Sequence, residues 1–465
     1  MPPEKSPAPR FSAASWFARI LPGLLLACIF GWPAPPLVAQ SPPGTLLWCC
    51  PVPGIVSESA PAFAPDGTIY VGGSGLTAVT PAGAIKWTAP VSWAVVNSPT
   101  VAADGTIYCV DQNSILNAFA PDGSPKWTFQ FPASQFSIGT AAIGADGTIY
   151  CVAGGILYAL TPQGGLKWQV TVDAGYSIIT PVIGLDGTIY ATGAYGLTAV
   201  QPDGTVKWRF AAAGGFAEAP AIGLDGTIYF NADSLYAVHP DGTAVWASPP
   251  TNYNPGGAMV LGPNGAIYYV SAGQLYSVGP DGTRGFNGTI GLNPWHWDSR
   301  TVPVVDAAGT VYFYSSNSIF AVRQAGNVEW VFSGQFAPFR PFVIFTGVPA
   351  IGPDGTIYAS FGEGFCALQG SGQPPAASGW PMYQQNLRHT GQREAPTMPL
   401  PRRRSDANFD VPILGELGQS YTLLTSPDFR QWHHLTNVVA RTPTTMIADL
   451  AATNAPVRFY RVTSP

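Results

Sequence analysis

Charge is what this chain has least of. Only 10% of its 465 residues are Asp, Glu, Lys or Arg, and the net charge is −5. An ordinary globular protein carries about 25% charged residues, so Thr, Ser, Gly, Asn and Gln must cover this surface. A weakly charged, slightly acidic chain lacks the basic footprint that nucleic acid requires. Histidine is also scarce, with five in all: His239, His296, His389, His433 and His434. The sequence holds no Cys-x-x-Cys, no His-Glu-x-x-His and no haem-attachment Cys-x-x-Cys-His, which removes the usual zinc and haem signatures. Gly-x-Ser-x-Gly is absent too, so a nucleophile elbow has no support.

Long apolar runs are missing. The stretch Ile20–Phe30 falls well short of the roughly 20 residues a spanning helix needs, and the mature chain is expected to have no transmembrane segment. Lys5, Arg10 and Arg19 precede the run, and Leu37-Val-Ala39 stands before Gln40 as a small-residue cleavage site. Residues 1–39 therefore read as an export signal. A rival reading is a lipoprotein signal, because Leu25-Leu-Ala-Cys28 resembles a lipobox, with Leu26 a poor fit and Ile29-Phe30 unusual after a lipid-bearing cysteine. Either route takes the mature chain to the periplasm, the outer envelope or the exterior.

Turn residues and aromatics are plentiful, with 53 Gly, 47 Pro, 14 Trp, 19 Tyr and 24 Phe. They fall into a repeat. Asp-Gly-Thr-Ile-Tyr stands at residues 66–70, 104–108, 146–150, 186–190, 225–229 and 354–358. Asn264-Gly-Ala-Ile-Tyr268 and Ala308-Gly-Thr-Val-Tyr312 complete eight copies, spaced 38 to 46 residues apart. Asp-Gly between apolar runs signals a hairpin whose two turn positions both take positive φ. Pro-Asp-Gly before Lys-Trp, as in Gln201-Pro-Asp-Gly-Thr-Val-Lys-Trp208, marks a second hairpin in each unit. Two linked hairpins make a four-stranded antiparallel sheet, and 40–45 residues is the period of a propeller blade.

Tryptophans give an independent count: Trp48, Trp87, Trp127, Trp168, Trp208, Trp246 and Trp330, with Gly285-Phe286 in the remaining place. Trp48 ends a unit that has no beginning, and the unit starting at Asp354 has no Lys-Trp strand. The expected fold is all-β: an eight-bladed propeller over residues 40–392, closed by the N-terminal strand so that no sheet edge of an open array is exposed.

These motifs resemble the quinoprotein-like propeller repeat, in particular the subgroup with Asp-Gly-Thr-Ile-Tyr, Leu-Tyr-Ala-Leu and Pro-Asp-Gly-x-x-Lys-Trp. The third-strand motif stands here as Leu157-Tyr-Ala-Leu160, Leu235-Tyr-Ala-Val238 and Leu275-Tyr-Ser-Val278. Trp380-Pro-Met-Tyr383 with His389-Thr-Gly391 is similar to a segment that often follows the last blade in this group. The resemblance, over residues 44–391, implies a fold. The group spans calcium- and quinone-dependent dehydrogenases, an outer-membrane assembly lipoprotein and many scaffolds, so function must be argued from the site.

Residues 393–407 form a Pro-rich, basic stretch with Arg402–Arg404, read as a solvated linker. From residue 408 to 465 short alternating strands return, at 418–424, 432–435, 444–448 and 458–462, as a small β-sandwich-like domain. It resembles a C-terminal β module of exported bacterial proteins, with Tyr421, Ser426, Asp428, Phe429, Trp432 and Arg458–Val462 matching.

Five cysteines lie beyond Cys28 of the signal. Cys109 and Cys151 take equivalent positions in neighbouring blades and read as small core residues. Quinone-dependent alcohol dehydrogenases of the resembled group carry an adjacent-cysteine disulfide over the cofactor, which Cys49-Cys50 would imitate. The pair here sits on an outermost strand, far from the central funnel, and no acidic base or calcium ligands accompany it. Cys366 lies on the strand that should pair with Trp48–Pro51, so Cys366 bridges Cys49 or Cys50, or these thiols stay free and buried. No cofactor is expected; the alternative is pyrroloquinoline quinone with calcium.

Function is sought where the repeat breaks. Loops after the Tyr and Trp strands gather on one face of the disc. Two are long: Asn287–Val302, with Trp295, His296, Trp297, Asp298 and Arg300, and Ser333–Gly347, with Arg340. Long loops in compact domains tend to carry function; the competing reading is that their aromatics plug the funnel. The expected activity is binding of a protein, or of a small-molecule or glycan ligand, at this face, as a scaffold rather than an enzyme. A quinone- and calcium-dependent dehydrogenase and a carbohydrate-binding propeller are the alternatives.

Export is directly testable. Mass spectrometry of the native mature protein should find its terminus at Gln40, or at a lipid-bearing Cys28. An intact Met1 on the mature protein would overturn both readings.

Overall fold

A computed structural model describes residues 41–391, apart from 55–58, 96, 133–138, 173–179, 194, 213–218, 249–257, 272–273, 288–300, 316–317, 334–347, 362–363 and the stretch 377–388 outside 378, 382 and 386. Beyond these it describes six strands between 402 and 463. All described elements are strands, and no described helix is long and apolar enough to cross a membrane.

Eight four-stranded antiparallel sheets follow one another as the blades of a propeller. Blades 1 to 7 are contiguous, at residues 62–90, 100–130, 142–171, 182–211, 221–247, 260–287 and 304–333. Blade 8 takes three strands from residues 350–368 and its outer strand, Leu46–Pro51, from the other end of the ring. Trp48 stands opposite Ala367, Cys49 opposite Cys366 and Pro51 opposite Gly364. The N-terminal strand thus closes the ring, as the orphan Trp48 required. A disulfide joins Cys49 to Cys366 across this closure, with Cα atoms 4.0 Å apart, while Cys50, Cys109 and Cys151 are free and buried.

The turns differ from expectation. Positive φ is confined to glycine in every Asp-Gly turn, for instance +83° at Gly67 and +80° at Gly187. The Gly67 amide donates to Ala64 O and the Ala64 amide to Thr68 O; the Pro-Asp-Gly type of turn repeats this pattern, with Gly83 on Thr80 and Thr80 on Ala84. Both hairpins are therefore three-residue connections, a type I turn closed by a left-handed glycine; for Asp-Gly this replaces the two-residue turn with two positive φ values. The Asp side chain explains the choice. Asp66 Oδ1 accepts from the Thr68 amide and Oδ2 from the Thr68 hydroxyl, both at 2.9 Å, an arrangement that leaves Asp at negative φ.

The glycine has a second duty. A Cβ on Gly83, Gly123, Gly164, Gly204, Gly242 or Gly282 would stand 2.6–2.9 Å from the indole of Trp48, Trp87, Trp127, Trp168, Trp208 or Trp246 respectively. Each indole belongs to the preceding blade. The same six indoles donate through Nε1 to the proline carbonyl of that neighbouring turn, at 2.9–3.1 Å. Within its own blade each packs tilted against the repeat tyrosine, as Tyr70 does on Trp87 at 5.7 Å between centroids. Trp330 closes the last joint onto Gly44, where a Cβ would be 3.1 Å away, but its Nε1 finds no acceptor. The Pro42 carbonyl is already taken by the amide and hydroxyl of Thr45.

Lys86, Lys126, Lys167 and Lys207 each stand at a bulge, skipped by the register that pairs Ala78 with Trp87 and Val79 with Ile85 in blade 1 and its counterparts in blades 2 to 4. From there they reach Asp66, Asp104, Asp146 and Asp186 at 3.2–3.7 Å. These pairs are solvent-washed and contribute less than about 1 kcal/mol each. In blade 7 the bulge carries Glu329, paired with Arg323 instead.

Beyond the ring the strands form two three-stranded sheets. One joins Arg402–Arg403, Phe409–Leu414 and Thr444–Asp449; the other joins His433–Val439, Ser420–Ser426 and Phe459–Thr463. Two of these were not expected. Arg402 pairs with Asp410 and Arg403 with Phe409, inside the stretch read as linker. Phe409–Leu414 was hidden because Pro412 argues against a strand; opposite Met446 it sits beyond the two-residue partner strand, where its missing amide is not needed.

The blade joints are testable. Gly204→Ala should cost about 2–3 kcal/mol, from left-handed strain plus collision with Trp168. In a Trp168→Ala background the same change should cost only about 1 kcal/mol, the strain alone. Equal costs in both backgrounds, by urea unfolding, would show that the indole is not what the glycine accommodates.

Candidate functional site

The Asp-Gly and Pro-Asp-Gly turns lie on one face of the disc, and the loops that enter the innermost strands lie on the other. The candidate residues Trp295, His296, Trp297, Asp298, Arg300 and Arg340 belong to those loops and lie outside the described residues. Between blades 3 and 4 the loop face carries a cleft of about 390 Å³ lined by Thr171, Val172, Tyr195, Thr198, Arg209 and Phe210. Arg209 is spent there on structure: it donates to Thr171 O and Val172 O, both at 2.8 Å, and to Thr198 Oγ1 at 3.1 Å. That guanidinium clamps two blades together.

The axis is built from short, apolar strands. Each innermost strand is two residues long: Ala62–Phe63, Thr100–Val101, Ala142–Ile143, Val182–Ile183, Ala221–Ile222, Val260–Leu261, Val304–Val305 and Ala350–Ile351. Buried hydroxyls tie neighbours together at their entry, Ser98 to the Ala60 amide and Thr180 to the Thr140 amide. The segment after the last blade then crosses the ring. The Ala376 amide donates to Val305 O and the Ala307 amide to Pro374 O, adding a short antiparallel bridge inside blade 7. Ser371 donates to Asp306 Oδ2, which also holds the Tyr312 hydroxyl, and Ser378 donates to Leu261 O of blade 6. Across the axis, His389 Nδ1 lies 3.1 Å from Pro99 O before blade 2. Ile143 and Ile183 of blades 3 and 4 donate to Thr390 O and Gly391 O at 2.8 and 2.7 Å. The described residues of this segment thus reach blades 6 and 7 at one end and blades 2 to 4 at the other, each at or beside an innermost strand.

His389 is 1% exposed and has φ +56°. Burial pushes its imidazole down to about 4, against a smaller upward pull from the Pro99 carbonyl, so it is neutral at ordinary pH and its Nδ1–H donates. Only the resemblance of Trp380–Gly391 to a segment that follows such blades drew attention to this stretch. Nothing in its composition says that it crosses an axis.

A quinone with calcium would need oxygen ligands and an acidic base near the axis. The described innermost strands carry aliphatic side chains apart from Phe63 and Thr100, and among the described residues no three His, Cys, Asp or Glu come together as a metal site. Cys49 is bonded to Cys366, not to Cys50, on the rim of blade 8. Burial pushes the Cys50 thiol up to about 11, which leaves it unreactive.

A closed ring of eight four-stranded blades, with a tryptophan docked from seven of them onto the neighbour's turn, defines a PQQ-like β-propeller. The family model described as outer membrane protein assembly factor BamB matches residues 37–182 and 153–360, and the chain belongs to that family. BamB from Moraxella catarrhalis superposes with a TM-score of 0.53 at 14% identity, over 70% of this chain and 98% of that one. The computationally designed Ika8 protein gives 0.54 at 10% identity, over 71% and 99%. Saccharomyces cerevisiae Sqt1 gives 0.53 at 12%, over 70% and 99%. Likenesses at these identities show a common fold alone. No curated protein matches the chain in sequence.

His389 sets a pH dependence with a definite sign. Its folded pKa of about 4 lies below the ordinary 6.5, so the unfolded chain binds the proton first. Stability should be full above about pH 6.5 and fall as the pH drops towards 4, by up to roughly 3 kcal/mol. Carboxylates held low by their turns, such as Asp66 on the Thr68 amide and hydroxyl, act at lower pH. In His389→Gln the slope of unfolding free energy between pH 6.5 and 4.5 should flatten. A slope equal to that of the native chain would place the protonating group elsewhere.

Proposed function

We propose that this chain is an exported, non-enzymatic scaffold of the cell envelope that binds protein partners through its loop face, in the manner of an assembly factor. The observation that carries the reading is at the inner edge of the ring: innermost strands of blades 3, 4 and 7 are hydrogen-bonded to the chain's own segment, which favours the faces and rim for recognition. Membership of the BamB family, named for outer membrane protein assembly, supports a protein partner and an envelope location. Within the loop face, Trp295, His296, Trp297, Asp298, Arg300 and Arg340 are the anchors we propose. Two indoles, an imidazole, a carboxylate and a guanidinium lie within six residues of an otherwise monotonous repeat. Trp and Arg are the types that most often dominate binding energy, at about 2 kcal/mol or more each.

The test is capture of envelope proteins from native extract by the purified mature chain, compared with a Trp297→Ala, Arg300→Ala variant. Loss of the captured partner at an unchanged melting temperature is expected. Unchanged capture with a lowered melting temperature would make this loop a cap on the ring and remove it as the site.

A further inference from the structure

The segment across the axis is held in the manner of a ligand. Its contacts come from three blades that are distant in sequence, through Pro99, Ile143 and Ile183, and each of these is fixed by its own sheet without the segment. The inward edge of a two-residue innermost strand has no further strand to pair with, so its amides need an acceptor, and Thr390 O and Gly391 O supply two of them. This is strand addition at the centre of a ring, where main-chain hydrogen bonds give affinity and a few side-chain positions give selectivity.

Those positions are readable. Asn386 pre-forms the segment: its carbonyl accepts from the His389 amide at 2.9 Å, its Oδ1 from the Thr390 amide at 3.2 Å, and its Nδ2 donates to Thr390 Oγ1 at 2.6 Å. His389 and Thr390 are then buried, 1% and 7% exposed. Gly391 is left-handed, φ +63°, and a Cβ there would meet the Cβ of Ala142 at 3.0 Å and the Pro181 carbonyl at 3.2 Å. No other residue fits without shifting an inner strand. Asn386, which braces His389 and Thr390, and the His389-Thr390-Gly391 run thus present groups that match a preformed surface of blades 2 to 4.

We propose that the axial side of blades 2 to 4 is a peptide-binding site specific for a turned Asn-x-x-His-Thr-Gly segment, occupied in this chain by its own residues 386–391. The site is separate from the loop face and does not depend on its role. Its occupant ties the end of the ring sequence, blade 8, to the blades on the opposite side.

Cutting the chain turns the internal occupant into a free peptide. Protease sites placed within residues 383–385 and within 394–400 of the full mature chain release both the C-terminal strands and the covalent hold on the segment. After cleavage at both, the peptide starting at residue 386 should co-elute with the ring in gel filtration. A labelled peptide of residues 386–393 in excess should exchange into it, and the same peptide with Gly391→Val should not. Loss of the released peptide from a ring of unchanged melting temperature would overturn the proposal, as would equal exchange by both peptides. Should the inserted sites prevent folding, the uncut native chain decides. The Ile143 and Ile183 amides should exchange with deuterium as slowly as those of Ile149 and Ile189 in the neighbouring strands. Exchange at the rate of an unprotected amide would show that the segment does not hold its place.

Discussion

An indole from one blade resting on a glycine of the next is the contact on which the ring depends. A four-stranded blade buries one face against each neighbour and has no core of its own, so the joints decide whether eight sheets make one object. Six of the joints use four things at once: an indole body, an indole N–H, a proline carbonyl and a residue without Cβ. The turn supplies the last two from positions two residues apart, as Pro202 and Gly204 do for Trp168. One short motif therefore both folds a hairpin and receives the previous blade. That double use explains why the Pro-x-Gly turn and the Trp strand recur together, and why neither is free to drift alone.

Closure applies the same rule where the chain has two ends. Leu46–Pro51 carries the indole, the bulge at Leu47 and the strand register of any outer strand, and the Pro-Gly of residues 43–44 receives Trp330. One element is lost there, the acceptor for Trp330 Nε1, because a prolyl pair replaces Pro-Asp and the carbonyl turns inward to Thr45. The Cys49–Cys366 disulfide lies at this joint, across a separation of 317 residues. Cross-links over long loops remove the most chain entropy from the unfolded state. The disulfide lies within blade 8, tying its N-terminal outer strand to the strand beside it.

Blade number, strand order and closure were legible in the sequence because a repeat multiplies weak local signals: eight Asp-Gly or equivalent turns outweigh the ambiguity of any one. The turn geometry was not, because Asp-Gly serves two hairpin classes, and the Thr68-type donors to the Asp side chain that select between them lie two residues downstream. Phe409–Leu414 and Arg402–Arg403 were hidden by proline and by charge, both tolerated at a short or open sheet edge. The axial segment was the largest omission. Its partners Pro99, Ile143 and Ile183 are some 200 to 290 residues away, and no periodicity in the segment marks contacts of that kind.

Filling the axis changes what such a ring can do. An open funnel lined by eight blades would favour small ligands, which need enclosure and a few convergent polar groups. Here the innermost strands are mostly apolar and those of blades 3, 4 and 7 are bonded to the chain's own segment, with the buried His389 imidazole held neutral. What is left is broad, weakly charged and loop-bearing, with charged residues kept to 10% of the chain. Surfaces of that kind recognise partners by shape and aromatic anchors more than by long-range electrostatic steering. The same chain economy that solidifies the disc thus moves recognition outward, to the faces where blades differ from one another.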